Sequence, residues 1–144
     1  MQVRVPASSA NLGPGFDSLG LALGIYLTCR FQRAERLAIR VSGRDAAQIS
    51  TGEDNLIWRT ALAVAADVGD HLPPIALEID NDIPLGKGLG SSAAALTAGV
   101  VIARDPELGF NSGIYRFIEY PMGFPVQPKQ MIRDDDTGGE RGGA

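Results

Sequence analysis

The amino-acid sequence predicts a domain that mixes β-strands with α-helices. Two observations carry this: period-two apolar alternation at four places, and helical spacing of apolar residues at two others. Val3 and Val5 alternate with Gln2 and Arg4, a short strand ending at Pro6. Residues 7–20 are rich in Ala, Ser, Gly, Asn and Pro and read as a loop. Ile25, Leu27, Cys29 and Phe31 alternate with polar or aromatic neighbours, and Leu37, Ile39 and Val41 repeat the pattern before Ser42-Gly43. Glu35-Arg36 between them predicts a hairpin turn. Ile75, Leu77 and Ile79 form the last alternation.

The first helix is expected to start at Asp54 as N-cap, to place Ile57, Ala61, Val64, Ala65 and Val68 on one face, and to stop at Gly69. The second runs from about Ser91 to Arg104 and has almost no polar face, so it is expected in the middle of the domain. From Asp105 the periodicity fails. The last 40 residues hold 7 Gly and 4 Pro and the acidic triplet Asp134-Asp135-Asp136. The expected division is therefore a domain over 1–104 and a poorly ordered tail over 105–144.

Composition narrows the function. The chain has 144 residues and a net charge of −4, with residues 1–104 near balance (9 basic, 10 acidic) and residues 105–144 acidic (4 basic, 7 acidic). Basic side chains form no stripe, which argues against nucleic acid as a partner. No apolar run is long enough to cross a membrane. The N-terminal residues lack a secretory pattern, and the single cysteine, Cys29, reads as apolar filler in a reducing compartment. Cytoplasm is the compartment these features suggest. Trp58 reads as packing, His71 as a connector residue without a partner, and Glu78, Asp80 and Asp82 as solvated.

The segment Pro84-Leu85-Gly86-Lys87-Gly88-Leu89-Gly90-Ser91-Ser92-Ala93-Ala94 joins a strand to the second helix. Glycines at alternate positions permit positive φ and close approach to a ligand. The helix N-terminus offers unpaired N–H groups and partial positive charge, and two serines add hydroxyls. Two readings fit: a cradle for phosphate, or a glycine-rich turn capping a core helix. It is not a Walker loop, because Asn81 stands where the first glycine is required, nor a dinucleotide fingerprint, because the third glycine comes one residue early. A second polar loop, Pro6-Ala7-Ser8-Ser9-Ala10-Asn11-Leu12-Gly13-Pro14-Gly15-Phe16-Asp17, sets an amide and a carboxylate on either side of a Gly-Pro-Gly bend. Asn11 and Asp17 either cap turns or face a common pocket.

The string Pro-x-x-x-Gly-Leu-Gly-Ser-Ser-Ala resembles the second motif of the GHMP kinases, and the loop from Pro6 to Asp17 is similar to the first motif of the homoserine-phosphorylating branch. The resemblance covers about residues 2–104. It implies an α+β fold, with a mostly antiparallel sheet packed against helices and one buried phosphate-loop helix. It implies ATP as co-substrate, wrapped by residues 84–94, with Ser92 helping to hold Mg²⁺ and Lys87 either adding charge or standing in solvent. It implies L-homoserine as acceptor, with Asp17 on its ammonium and Asn11 on its hydroxyl or other polar atoms. Asp54-Asn55-Leu56-Ile57 would lie near the adenine, with Asn55 either bonding the base or serving the helix turn. Full-length members of the family continue with a carboxylate for Mg²⁺ and a C-terminal domain that residues 105–144 do not match; Glu119 is not assigned that role. The expectation is a truncated homoserine kinase, inactive as this chain alone. The alternative is a non-catalytic remnant binding nucleotide weakly or not at all.

Overall fold

The computed structural model describes residues 1–10, 12–15 and 18–108. Its elements run β1 (Gln2–Ser9), β2 (Leu21–Arg33), β3 (Ala38–Gly43), α1 (Leu56–Asp67), β4 (Ile75–Asn81) and α2 (Ser91–Ala103), with short 3-10 turns at Gly13–Gly15, Ala46–Gln48 and Pro106–Leu108. The strands form one sheet in the order β1-β2-β4-β3. β1 pairs antiparallel with β2, and β2 with β4, whereas β3 lies parallel to β4.

The predicted hairpin between β2 and β3 does not form, because β4 inserts between them. β4 is the strand best suited to a central place: Ile75, Leu77 and Ile79 are all buried, and Leu77 has no exposed surface. β3 buries only Ile39 fully and takes an edge. Residues 34–37 therefore span across β4 rather than turn back beside β2, and Ala34 is tied to the β4 side by its N–H on the Pro74 carbonyl at 3.0 Å.

β1 also outlasts its predicted end at Pro6. It runs on to Ser9 after a register shift between Pro6 and Ala7, where the partner positions jump from Tyr26 to Leu23. An edge strand with an irregularity accommodates a proline that lacks an N–H. The extension pairs Ser9 with Leu21 and so anchors both ends of the connection 10–20.

One sheet face is apolar. Val3, Val5, Ala7, Leu27, Cys29, Phe31, Ile39 and the β4 residues meet α1 and α2 there, while Arg4, Arg30, Glu78 and Asp80 stand on the solvent face. Burial pushes the Cys29 thiol from 9.0 up to about 12, so it is an inert packing group at neutral pH. Trp58 joins the core, and His71, Glu78, Asp80 and Asp82 are exposed, as their patterns suggest.

α1 begins one residue later than predicted, because Asn55 rather than Asp54 is the N-cap. Asp54 instead accepts a hydrogen bond from the Ser50 hydroxyl. The helix ends as predicted at Gly69, whose φ of 72° lets its N–H reach the Ala66 carbonyl while the Asp70 N–H reaches Ala65, a Schellman closure. α2 is apolar around its girth, yet burial is one-sided among the described residues. Ala94, Ala98, Gly99, Ile102 and Ala103 face inward, whereas Leu96 is 45% exposed. Beyond α2 the chain continues through Leu108, which is buried in the core and whose carbonyl accepts from Arg33 at 3.1 Å. The first residues of the tail predicted over 105–144 thus belong to the fold, with Pro106–Leu108 in a 3-10 turn, and residues 109–144 lie outside the described residues.

The two helices touch where α2 has no side chain. A Cβ on Gly99 would stand 2.6 Å from the Ile57 carbonyl oxygen and 2.6 Å from Thr60 Cβ. Backbone cannot yield cheaply at such a contact, so Gly99→Ala should cost about 1–3 kcal/mol despite the better helix propensity of alanine. Urea denaturation at constant m-value checks this. Unchanged or increased stability would show that the helices are free to separate.

Candidate active site

The loop between β4 and α2 has an unusual backbone. Gly86, Gly88 and Gly90 adopt φ of 67°, 70° and 72°, so every second residue is left-handed. Only glycine does this without steric cost. Gly90 is also the N-cap of α2, and no side chain caps that end. The first intrahelical bond is donated by Ala94 to the Gly90 carbonyl at 2.8 Å. The N–H groups of Ser91, Ser92 and Ala93 precede it and have no intrahelical acceptor.

α1 provides the contrast. Its N-terminus is sealed by Asn55, whose Oδ1 accepts from Ile57 N–H at 3.0 Å and Trp58 N–H at 3.3 Å. Asn55 Nδ2 donates to the Ser50 carbonyl at 2.6 Å, and the residue is only 2% exposed. One helix thus closes two of its first-turn donors internally, and its neighbour has no side chain on any of them.

A cavity of about 250 Å³ lies between these two helix ends. Gln48, Ile49, Ser50, Asp54, Asn55, Leu56 and Ile57 form one wall; Leu85, Ser91, Ser92 and Ala95 form another; Leu27, Ile79 and Asn81 make the floor. The structure therefore brings together two of the segments singled out in the sequence, 54–57 and 84–94, through Asn55 on one side and Leu85 with the serine pair on the other. Asn55 stands at the wall with its amide already engaged. Ser92 and Ala93 are exposed at the open helix end, and Lys87 is exposed in the loop. Pro84 is half-buried at the loop entrance, and Leu89 packs partly against the core. Ala94 is buried and its N–H closes the first helical turn, so its part is to fix the helix.

The loop is pinned to β1. Ser8 N–H donates to the Leu89 carbonyl at 3.0 Å, and a Cβ on Gly90 would come within 3.0 Å of the Ser8 carbonyl and nearer still to its hydroxyl. The connection 10–20 thus springs from a strand end that touches the phosphate-type loop. Within it the Gly-Pro-Gly bend is a 3-10 turn with Gly13 at φ 57°. Asn11 and Asp17 lie outside the described residues.

Sequence reasoning missed Ser8, Asp45 and Asn81. Asp45 Oδ2 accepts from Leu85 N–H at 3.0 Å, and buried Asn81 bridges the Arg44 and Ile83 backbones. Their only signal was a polar residue at a strand end, which many solvated turns share.

With this geometry in place, comparison with known proteins shows what the chain is similar to. Residues 55–108 match the family described as GHMP kinases N terminal domain, and the described part of the chain has that fold, with its four-stranded sheet and two helices. Over its N-terminal 70% the chain is homologous to homoserine kinases. It is 68% identical over 101 residues to the homoserine kinase of Solibacter usitatus, covering 70% of this chain and 33% of that protein. A solved candidate homoserine kinase from Listeria monocytogenes is 45% identical with a TM-score of 0.61, covering 72% of this chain and 35% of that one. The homoserine kinase structure from Cytophaga hutchinsonii is 30% identical with a TM-score of 0.53, covering 72% and 34%. The chain spans about a third of the length of the curated relatives it matches.

Asn55→Ala should expose two amides and release Ser50, costing about 1–2 kcal/mol of stability. Asn55→Asp, which keeps the acceptor, should recover most of that loss. Thermal unfolding of the two variants decides, and equal destabilisation by both would contradict the capping role.

Proposed function

We propose that this chain supplies the ATP- and acceptor-binding part of a homoserine kinase, which moves the γ-phosphoryl of ATP to the side-chain hydroxyl of L-homoserine on the route to threonine, in the cytoplasm. The observation that carries the proposal is the uncapped N-terminus of α2, opened by three left-handed glycines onto a cavity beside α1. Its N–H groups and the positive end of the helix dipole suit an anion, and a glycine loop without Cβ atoms lets phosphate oxygens approach the backbone.

In this reading residues 84–93 hold the nucleotide phosphates, and Ala94 supports them through the helix turn it closes. The half of the cavity beside Asn55 takes the base, with Asn55 holding that wall in place. By its place in the motif that resembles the GHMP kinases, Ser92 is the group this part of the chain would offer to Mg²⁺. When bound with the nucleotide, Mg²⁺ supplies neutralisation of phosphate charge. Asp17 pairs with the homoserine ammonium and Asn11 with its hydroxyl or other polar atoms. The root of their loop at Ser8, against Leu89, supports placing an acceptor next to the phosphates. What these residues contribute is positioning and charge complementarity. No general base is assigned.

A chimera tests the proposal directly. Residues 1–104 would replace the matching third of the Solibacter usitatus relative. The expected result is homoserine-dependent ADP release comparable with the parent enzyme. Asp17→Asn in that chimera should lower kcat/KM for homoserine by roughly 2–5 kcal/mol in transition-state binding while KM for ATP holds, because the substrate ammonium stays desolvated and unpaired. A folded chimera without homoserine-dependent turnover overturns the proposal. A lower melting temperature with intact homoserine kinetics returns Asp17 to turn capping.

A further inference from the structure

We infer that Asp45 is a positioning residue for the phosphate loop, a role that rests on the nucleotide reading above. Asp45 belongs to neither motif. Its backbone has φ 54° and ψ 22°, and it is the one non-glycine residue with positive φ among the described residues. That conformation is unfavourable for a residue with a Cβ, though Asp and Asn tolerate it better than most. Glycine would adopt the same backbone at lower cost. What glycine lacks is the carboxylate, and Asp45 Oδ2 uses it to accept from the Leu85 N–H, 40 residues further along the chain, at 3.0 Å.

The residues around Asp45 fix its aim. Asn81, 2% exposed, donates through Nδ2 to the Arg44 carbonyl at 2.9 Å and to the Ile83 carbonyl at 2.9 Å. Its Oδ1 accepts from Ile83 N–H at 3.2 Å, and its backbone carbonyl accepts from Arg44 N–H. Gly43, at φ 85°, passes so close to Asn81 that a Cβ would stand 2.9 Å from the Asn81 nitrogen. The end of β3 and the exit of β4 are thereby bound together, and Asp45 projects from that junction onto the loop.

The loop has little else to hold it. A Cβ at Gly86 or Gly88 would meet nothing within 4 Å, so the backbone there passes through open space. It is pinned at Leu85 by Asp45 and at Leu89 by the Ser8 N–H. Leu85 also lines the cavity. Asp45 therefore sets one of two fixed points between which the loop's N–H groups are arrayed. The second pin leads to the connection 10–20; the first acts on the nucleotide side.

The test uses the 144-residue chain with calorimetric titration of Mg·ADP and of adenosine, beside melting temperature and amide hydrogen exchange at Leu85. Asp45→Gly relieves the backbone but removes the latch. It should bind Mg·ADP about tenfold more weakly, the loss of a single well-placed hydrogen bond, with adenosine affinity and melting temperature held. Leu85 exchange should accelerate. Asp45→Asn keeps an acceptor in a residue that tolerates the conformation, and should restore both Mg·ADP affinity and Leu85 protection. Asp45→Gly that binds Mg·ADP as the unmodified chain does would overturn the inference. So would parallel loss of Mg·ADP, adenosine and melting temperature, which marks a purely structural role. If the unmodified chain binds neither ligand, the nucleotide reading fails, and unaltered Leu85 exchange in Asp45→Gly would then overturn the latch as well.

Discussion

The contact between Gly90 and Ser8 is the constraint on which the site depends. A strand end and a helix N-terminus meet there at a distance that no side chain on the helix residue would permit. Glycine at φ 72° satisfies both demands at once: it turns the chain into α2 and leaves room for β1. Because β1 lies at the sheet edge next to β2, and α2 packs across β1 and α1, this approach also sets how deeply the helix layer sits on the sheet. The buried run Ala94, Ala98, Ile102 continues the same logic along α2, with small residues where elements come closest.

The two helix N-termini on one side of the sheet then divide the work. α1 ends in an asparagine that uses its whole amide inside the protein. Sealing those donors fixes a wall. α2 ends in glycine and serines with its donors unspent, and those donors open on the same cavity. A site for a nucleotide needs both kinds of end: a rigid boundary for the apolar base and a set of free N–H groups for the phosphates. Asp45 and Asn81 serve the second end from behind, by holding the entrance of the loop to the sheet.

How much of this was legible in the sequence follows from how local each feature is. Alternate glycines before Ser91 could be read because the turn, the helix start and the hydroxyls all fall within a dozen residues. Gly69 was equally plain as a helix stop. The α1 cap was displaced by one position because Asp54 and Asn55 are both good N-caps, and only geometry decides which one turns inward. Strand order was not legible. Val41 alternates as regularly as Phe31, and nothing near either of them says that β4 will come between them. Asp45, Asn81 and Ser8 were given no role for the same reason: the bonds Asn81–Arg44, Asp45–Leu85 and Ser8–Leu89 join residues 37 to 81 positions apart, and each residue looks alone like an ordinary turn or strand-end residue. The α2 face holding Leu96 was expected to be covered because the helix is apolar on every side, but composition cannot say by what.

The central claim is that α2 presents open donors to phosphate while α1 does not. Amide chemical shifts of the isotopically labelled chain during titration with Mg·ADP test it most directly. Saturable shifts should be largest at Gly88, Gly90, Ser91, Ser92 and Ala93, with Ile57 and Trp58, whose N–H groups are held by Asn55, moving little. Shifts centred on Ile57 and Trp58, or no saturable response at residues 88–93, would contradict the account.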